Sequence, residues 1–194
     1  MINYFVKYKK VIVILLSIFL FLTFYFIYIQ KKNNLYEKML SEEMTNNYNN
    51  TLLYLSDLDK YLTDNVTSKG KMTISDVAFY QYQSKNIAHN YERFIQYYSK
   101  LDNKDVRHHN KNLYNFIMSF YIDFKNVHQN LRDNSALITK EIPKSLMEKH
   151  LILNKIEEQI EIYHNHKNFP SKINKSKASK LIQEINRILH KKNY

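Results

Sequence analysis

Residues 11–29 read VIVILLSIFLFLTFYFIYI, nineteen consecutive residues without a charge. The hydrocarbon core of a bilayer is about 30 Å thick and takes about 20 apolar residues of helix, so this run is predicted to span one. Ser17 and Thr23 are its clearly polar members, and a helical hydroxyl can bond back to a carbonyl one turn earlier. Lys7, Lys9 and Lys10 bound it on one side, and Lys31 and Lys32 on the other. Tyr25 and Tyr28 fall toward the second boundary, where amphipathic rings settle. A cleaved secretory signal has a shorter apolar region and a small-residue cleavage site. Here the run continues into Phe24-Tyr25-Phe26-Ile27-Tyr28, which reads as an uncleaved signal anchor. With no cysteine in the chain, lipid attachment through a thiol has no acceptor.

The basic flanks differ little, so the positive-inside rule leans only slightly toward an internal N-terminus. The expected location is therefore the cell membrane, single-pass, with the N-terminus inside and the C-terminal domain extracytoplasmic. The chain divides into a short basic tail (1–10), the transmembrane anchor (11–29) and a helical domain (30–194). Residues 171–194 of that domain are expected to form a basic amphipathic terminal helix.

The domain has about 165 residues, enough to bury a core of its own. Its punctuation is sparse: Gly70, Pro143 and Pro170 are all the glycine and proline in the chain. Sheets need turn residues at close intervals, so the scarcity predicts long helices with few connections. The absence of cysteine excludes disulfides and thiolate metal sites, and fits an exported bacterial protein. Residues 31–161 carry 18 basic and 17 acidic side chains, whereas residues 162–194 carry eight basic residues and only Glu184. The excess positive charge thus belongs to the two ends. Codon choice in an AT-rich genome would by itself give the abundance of Asn, Lys, Ile and Tyr, so counts of these residues carry no functional weight.

Apolar residues recur in steps of three and four through the domain, the period of a helix with one buried stripe. The first stripe is Met44, Tyr48, Thr51, Leu55, Leu58 and Leu62, after asparagines at 46, 47, 49 and 50 that predict fraying or a bend. Gly70 is available for a left-handed helix stop. Thr73, three residues before Asp76, is a capping signature for the second helix. That helix carries Val77, Tyr80, Ser84, Ile87, Tyr91, Phe94, Tyr98 and Leu101, widened by Tyr82, Ile95 and Tyr97. The third carries Val106, Leu113, Ile117, Phe120, Phe124, Val127 and Leu131, and weakens at Arg132–Ser135 before Ala136, Leu137 and Ile138. Pro143 suits the start of a fourth helix, with Leu146, Leu153, Ile156, Ile160 and Tyr163 on one face. A fifth follows Phe169-Pro170, with Ala178, Leu181, Ile182, Ile185, Ile188 and Leu189.

The predicted fold is all-α: a single N-terminal transmembrane helix followed by an elongated antiparallel bundle of about five helices. The stripes are regular enough for an intermolecular coiled coil as the alternative; the short connections at 67–73 and 102–105 favour folding within one chain.

Few residues suggest chemistry. His108 and His109 are adjacent, His164 and His166 are two apart, and His89, His128, His150 and His190 stand alone in sequence. None has the i, i+4 spacing of a helical metal site, so no metal is expected and the histidines read as surface or internally bonded groups. Glu157, Glu158 and Glu161 read as a solvated face with Lys149 and Lys155 for surface pairing. One glycine allows no phosphate loop, and no nucleophile elbow, zincin or kinase motif occurs. No catalytic residue and no cofactor is assigned. Two candidate sites remain. Lys172, Lys175, Lys177, Lys180, Arg187, Lys191 and Lys192 would let the terminal helix meet an anionic lipid, a wall polymer or an acidic partner. Tyr80, Tyr91 and Tyr98 could line a ligand cleft. The expected function is a non-enzymatic anchored protein that contacts the bilayer through residues 11–29 and binds another protein or a second copy of itself, without nucleic acid. A ligand-sensing helical domain is the alternative, and an enzyme the remote one.

Overall fold

A computed structural model of the chain describes residues 2–68, 70–102, 111–133, 139–164 and 171–191; the side chains of residues 2–7, 9, 10, 66–68 and 102 are outside that description. Five helices are described: α1 (Ile2–Ser68), α2 (Ile74–Asp102), α3 (Lys111–Asp133), α4 (Lys144–His164) and α5 (Lys175–His190). Two compact units result, residues Met1–Leu40 and Ser41–Tyr194.

In the first unit α1 carries the apolar run with its side chains exposed, Phe19, Phe21 and Phe24 each by about 70% (68%, 70% and 70%). The segment is long and apolar enough to cross a membrane. The Ser17 hydroxyl donates to the Val13 carbonyl (2.9 Å) and the Thr23 hydroxyl to that of Phe19 (2.8 Å). Neither leaves an unsatisfied group on the apolar surface.

In the second unit the expected stripes form one core. Met44, Tyr48, Thr51, Leu55, Leu58 and Leu62 of α1 are all buried, as are Leu113, Ile117, Phe120, Phe124, Val127 and Leu131 of α3. Burying Phe, Leu or Ile side chains of this kind contributes about 1.5–3 kcal/mol each. Tyr61 stacks on Tyr80 at 3.7 Å between ring centroids, and Tyr48 packs on Phe94 at 5.2 Å. The later residue of α1 meets the earlier residue of α2, so these helices run antiparallel. Three hydrogen-bonded pairs between α1 and α4 (Tyr48 with His164, Ser56 with Glu157, Thr63 with His150) give the same antiparallel sense. Helix α5 packs on α3 and α4, and the Ile173 N–H donates to Thr45 Oγ1 (3.2 Å). The all-α bundle expected from the stripes is therefore the observed architecture. At 29 residues, α2 is about 44 Å long.

The differences from expectation have local causes. Helix α1 continues unbroken through its asparagines. Asn47 donates to the Glu43 carbonyl (2.7 Å), and the Thr45 and Thr51 hydroxyls to those of Ser41 and Asn47. Back-bonding of this kind keeps polar side chains satisfied on a helix that is buried on several sides. Tyr82, expected on the core stripe, is 65% exposed; two residues past Tyr80 is 200° around a helix, which faces away. The terminal helix is confined to Lys175–His190, with Asn174 as its N-cap accepting from the Lys177 N–H (3.1 Å). That cap leaves Lys172 outside it. The segments 103–110 and 134–138, and with them Val106, His108, His109 and the resumption at Ala136–Ile138, lie outside the described residues, as do His166 and the Phe169-Pro170 break.

A small ribbon was not anticipated. Strands β1 (Lys71–Thr73) and β2 (Thr139–Glu141) pair antiparallel, with Met72 opposite Lys140. They join the α1–α2 connection to the α3–α4 connection, which an up-down bundle brings to the same end. Because β1 precedes α2 and β2 follows α3, their pairing also sets α2 and α3 antiparallel. Gly70 takes a φ of 60°, and its N–H returns to the Asn65 carbonyl (2.8 Å), the expected left-handed stop. Thr73 Oγ1 accepts from the Asp76 N–H (3.2 Å) and donates to the Asp76 carboxylate (2.8 Å), so the capping signature is formed.

Candidate functional site

The basic residues of α5 lie opposite its buried face. Ala178, Leu181, Ile182, Ile185 and Leu189 are in the core, while Lys177, Lys180, Arg187 and Lys191 are exposed. On a 100° wheel those four fall within about 80° of one another. Lys172 is exposed in the preceding segment, Lys175 is half-buried near the helix start, and Lys192 lies outside the described residues. Arg187 is partly neutralised by Glu184 on the same helix (2.6 Å). An exposed pair of this kind contributes little to stability. What remains is a solvated cationic stripe on a helix whose apolar side is already covered.

The three tyrosines of the second candidate are strung along α2. Eighteen positions separate Tyr80 from Tyr98, about 27 Å of helix. Tyr80 is half-buried against Tyr61, Phe79 and Phe124. Tyr98 packs on Phe94 at 5.8 Å, and Tyr91 on the same ring at 6.3 Å. Burial raises the phenol pKa of Tyr91 and of Tyr80, at Tyr80 reinforced by the nearby carboxylates Asp57, Asp76 and Asp64. Both rings are neutral at physiological pH. The Tyr91 hydroxyl reaches no hydrogen-bond partner among the described atoms. A buried, unpaired hydroxyl costs about 1–3 kcal/mol, so Tyr91→Phe is expected to raise stability by about 1 kcal/mol in urea unfolding. A loss of that size instead would show that the hydroxyl has a partner, favouring a ligand cleft.

Sequence reasoning missed a line of polar contacts between α1 and α4. Tyr48 Oη and His164 Nε2 are 2.8 Å apart. Ser56 Oγ donates to both oxygens of Glu157 (2.7 and 2.6 Å). His150 Nε2 is 3.0 Å from Thr63 Oγ1 and 3.6 Å from Asp59 Oδ1. The Asn154 amide is assigned with its nitrogen toward Asp59 and His150, where it donates to His150 Nε2 (3.0 Å) and to both Asp59 oxygens, Oδ2 at 3.2 Å. Glu157 is thus not part of a solvated face. It lies four residues past Leu153, on the flank of the stripe, and α1 covers that flank. The Asp59 carboxylate and the Thr63 hydroxyl both approach the same nitrogen of His150. A hydroxyl–imidazole–carboxylate relay needs them on opposite nitrogens, so this cluster has the geometry of a structural bond network.

Lys149 also departs from the surface role expected for it. It is 7% exposed, with Nζ 2.7 Å from Asp123 Oδ2, 2.9 Å from the Ser119 carbonyl, and 5.8 Å from the centroid of the Phe120 ring. Its position was readable: Lys149 is three residues after Leu146 and four before Leu153, in the middle of the α4 stripe. His128 Nδ1 meets Gln81 Oε1 at 2.8 Å between α3 and α2. Among the described residues no three His, Asp or Glu side chains converge as a metal-binding set.

Fold and surfaces together define an all-α helical-bundle protein with one N-terminal helix long and apolar enough to cross a membrane. Comparison with models of protein families, with curated proteins and with solved structures finds no match to this chain.

Proposed function

We propose that this is a single-pass membrane protein, held by residues 11–29, whose helical domain binds another protein at the outer face of a bacterial membrane. An accessory subunit, an immunity-type protector or a scaffold would each use such a module without catalysing a reaction. The supporting observation is the contrast within one chain. The apolar side chains of 11–29 are exposed, whereas those of the bundle stripes are buried. An exposed apolar surface of that length is unstable in water and stable in lipid. The contact surface assigned to the partner is the stripe of Lys177, Lys180, Arg187 and Lys191, which fits an acidic protein surface. A helix lying in a headgroup layer would need its apolar face, and that of α5 is already in the core; this weighs against lipid as the occupant.

A photo-crosslinker placed in intact cells at Lys180 or Arg187 is expected to trap one protein, and the same group at Lys85 on α2 to trap none. Recovery of the uncrosslinked chain alone from both α5 positions would remove this reading. Protease added to intact cells should digest the domain. Full protection until lysis would reverse the orientation.

A further inference from the structure

We propose that the contact between α1 and α4 is an acid-sensitive latch, which loosens when His150 and His164 acquire charge. At His150 the amide bond provides for the neutral ring, and at His164 the Lys177 ammonium opposes the charged one. His150 Nε2 accepts from the Asn154 amide (3.0 Å) and stands 3.0 Å from the Thr63 hydroxyl. Adding a proton to Nε2 sets one donor against another. Asn154 must then turn away, and its bonds to the Asp59 carboxylate go with it. Asp59, 3.6 Å away on α1, is the one charged group described at this ring, and it draws the new cation toward α1 while the amide that bridges the helices is displaced.

His164 lies four turns further along the same side of α4. It faces the Tyr48 hydroxyl from α1 (2.8 Å), and from α5 the Lys177 ammonium repels a charged ring. Both imidazoles are buried. Burial holds each pKa below the ordinary histidine value, and Lys177 adds to the effect at His164. Since the folded form binds these protons less readily than the unfolded chain, stability is fully present above about pH 6.5 and is lost as pH falls below it. Between the two rings Ser56 with Glu157, and Asp59 with Asn154, bond across the seam. By contrast, α2 packs on α3 through rings such as Tyr80 on Phe124. His128 also meets Gln81 between α3 and α2, but it is only half-buried; the buried histidines among the described residues are both on the α1–α4 pair.

Hydrogen exchange of the full chain in detergent micelles, expressed as protection factors at about pH 7.5 and 5.5, tests this. Protection over residues 45–65 and 150–164 is expected to fall, by up to about tenfold for each histidine. Protection in residues 87–95 and 116–127 is expected to change far less. In the variant His150→Gln/His164→Gln, whose amides bond without titrating, the fall should disappear. Equal protection at the two pH values, a uniform loss in all helices, or a fall of full size in the variant would each overturn the proposal. If the double variant does not fold, the regional pattern in the wild-type chain decides.

Discussion

Leu16→Arg/Leu20→Arg should release the chain from the membrane fraction into the supernatant of an alkaline carbonate wash. The two positions are one turn apart on α1, near the middle of residues 11–29, and both side chains are exposed. An arginine near the centre of a spanning helix costs about 2.5–3.5 kcal/mol, so the pair costs about 6 kcal/mol, enough to reverse partitioning of a single span. Ser17 and Thr23 spend their hydroxyls on the helix itself, so no polar group within the run offsets the new charges. Leu16→Ala/Leu20→Ala keeps the segment uncharged and should remain in the pellet. If the arginine variant also stays there, residues 11–29 are not the anchor.

Asp123→Ala is expected to lower the unfolding free energy of the bundle by about 3 kcal/mol. It strands the Lys149 ammonium, which is almost wholly buried, with the Ser119 carbonyl and the Phe120 ring face as its remaining partners. Removing one member of a buried pair leaves an uncompensated charge, whereas replacing both with apolar groups of similar volume is often neutral. Lys149→Met/Asp123→Leu should therefore recover most of the loss. Denaturant unfolding of the wild type, Lys149→Met, Asp123→Leu and the double variant forms a closed cycle, and the coupling it yields is the measurement. Additive single effects would mean that the 2.7 Å ion pair contributes nothing as a pair.

These two experiments fall on opposite sides of what could be read without coordinates. The apolar run, the stripes of α1, α3, α4 and α5, the Gly70 stop and the Thr73 cap are local patterns. Each depends on residues no more than a few turns apart, and periodicity reports such patterns directly. Lys149 and Glu157 depart from the expected surface role because the spacing of apolar residues does not by itself report which polar ones share their face. Lys149, His150 and His164 stand at stripe spacing from Leu146, Leu153 and Ile160, so their burial was legible in principle. Their partners were not: Asp123, Thr63 and Tyr48 lie on other helices, and no spacing rule within α4 points to them.

The candidate surface was partly legible in the same way. The lysines of the last helix could be read from charge alone. Whether the helix had an apolar face to spare for lipid could not, because that depends on whether α3 and α4 cover it.

The sequence by itself determined that this chain is helical, has one segment suited to lipid, and concentrates positive charge at its ends. Those properties follow from composition and short-range spacing. Tertiary structure decided which stripes meet, that two loops pair as a ribbon, and that α1 and α4 join through titratable side chains. Each of those outcomes is a contact between residues distant in the chain, and its energy exists only once both partners are brought out of water together.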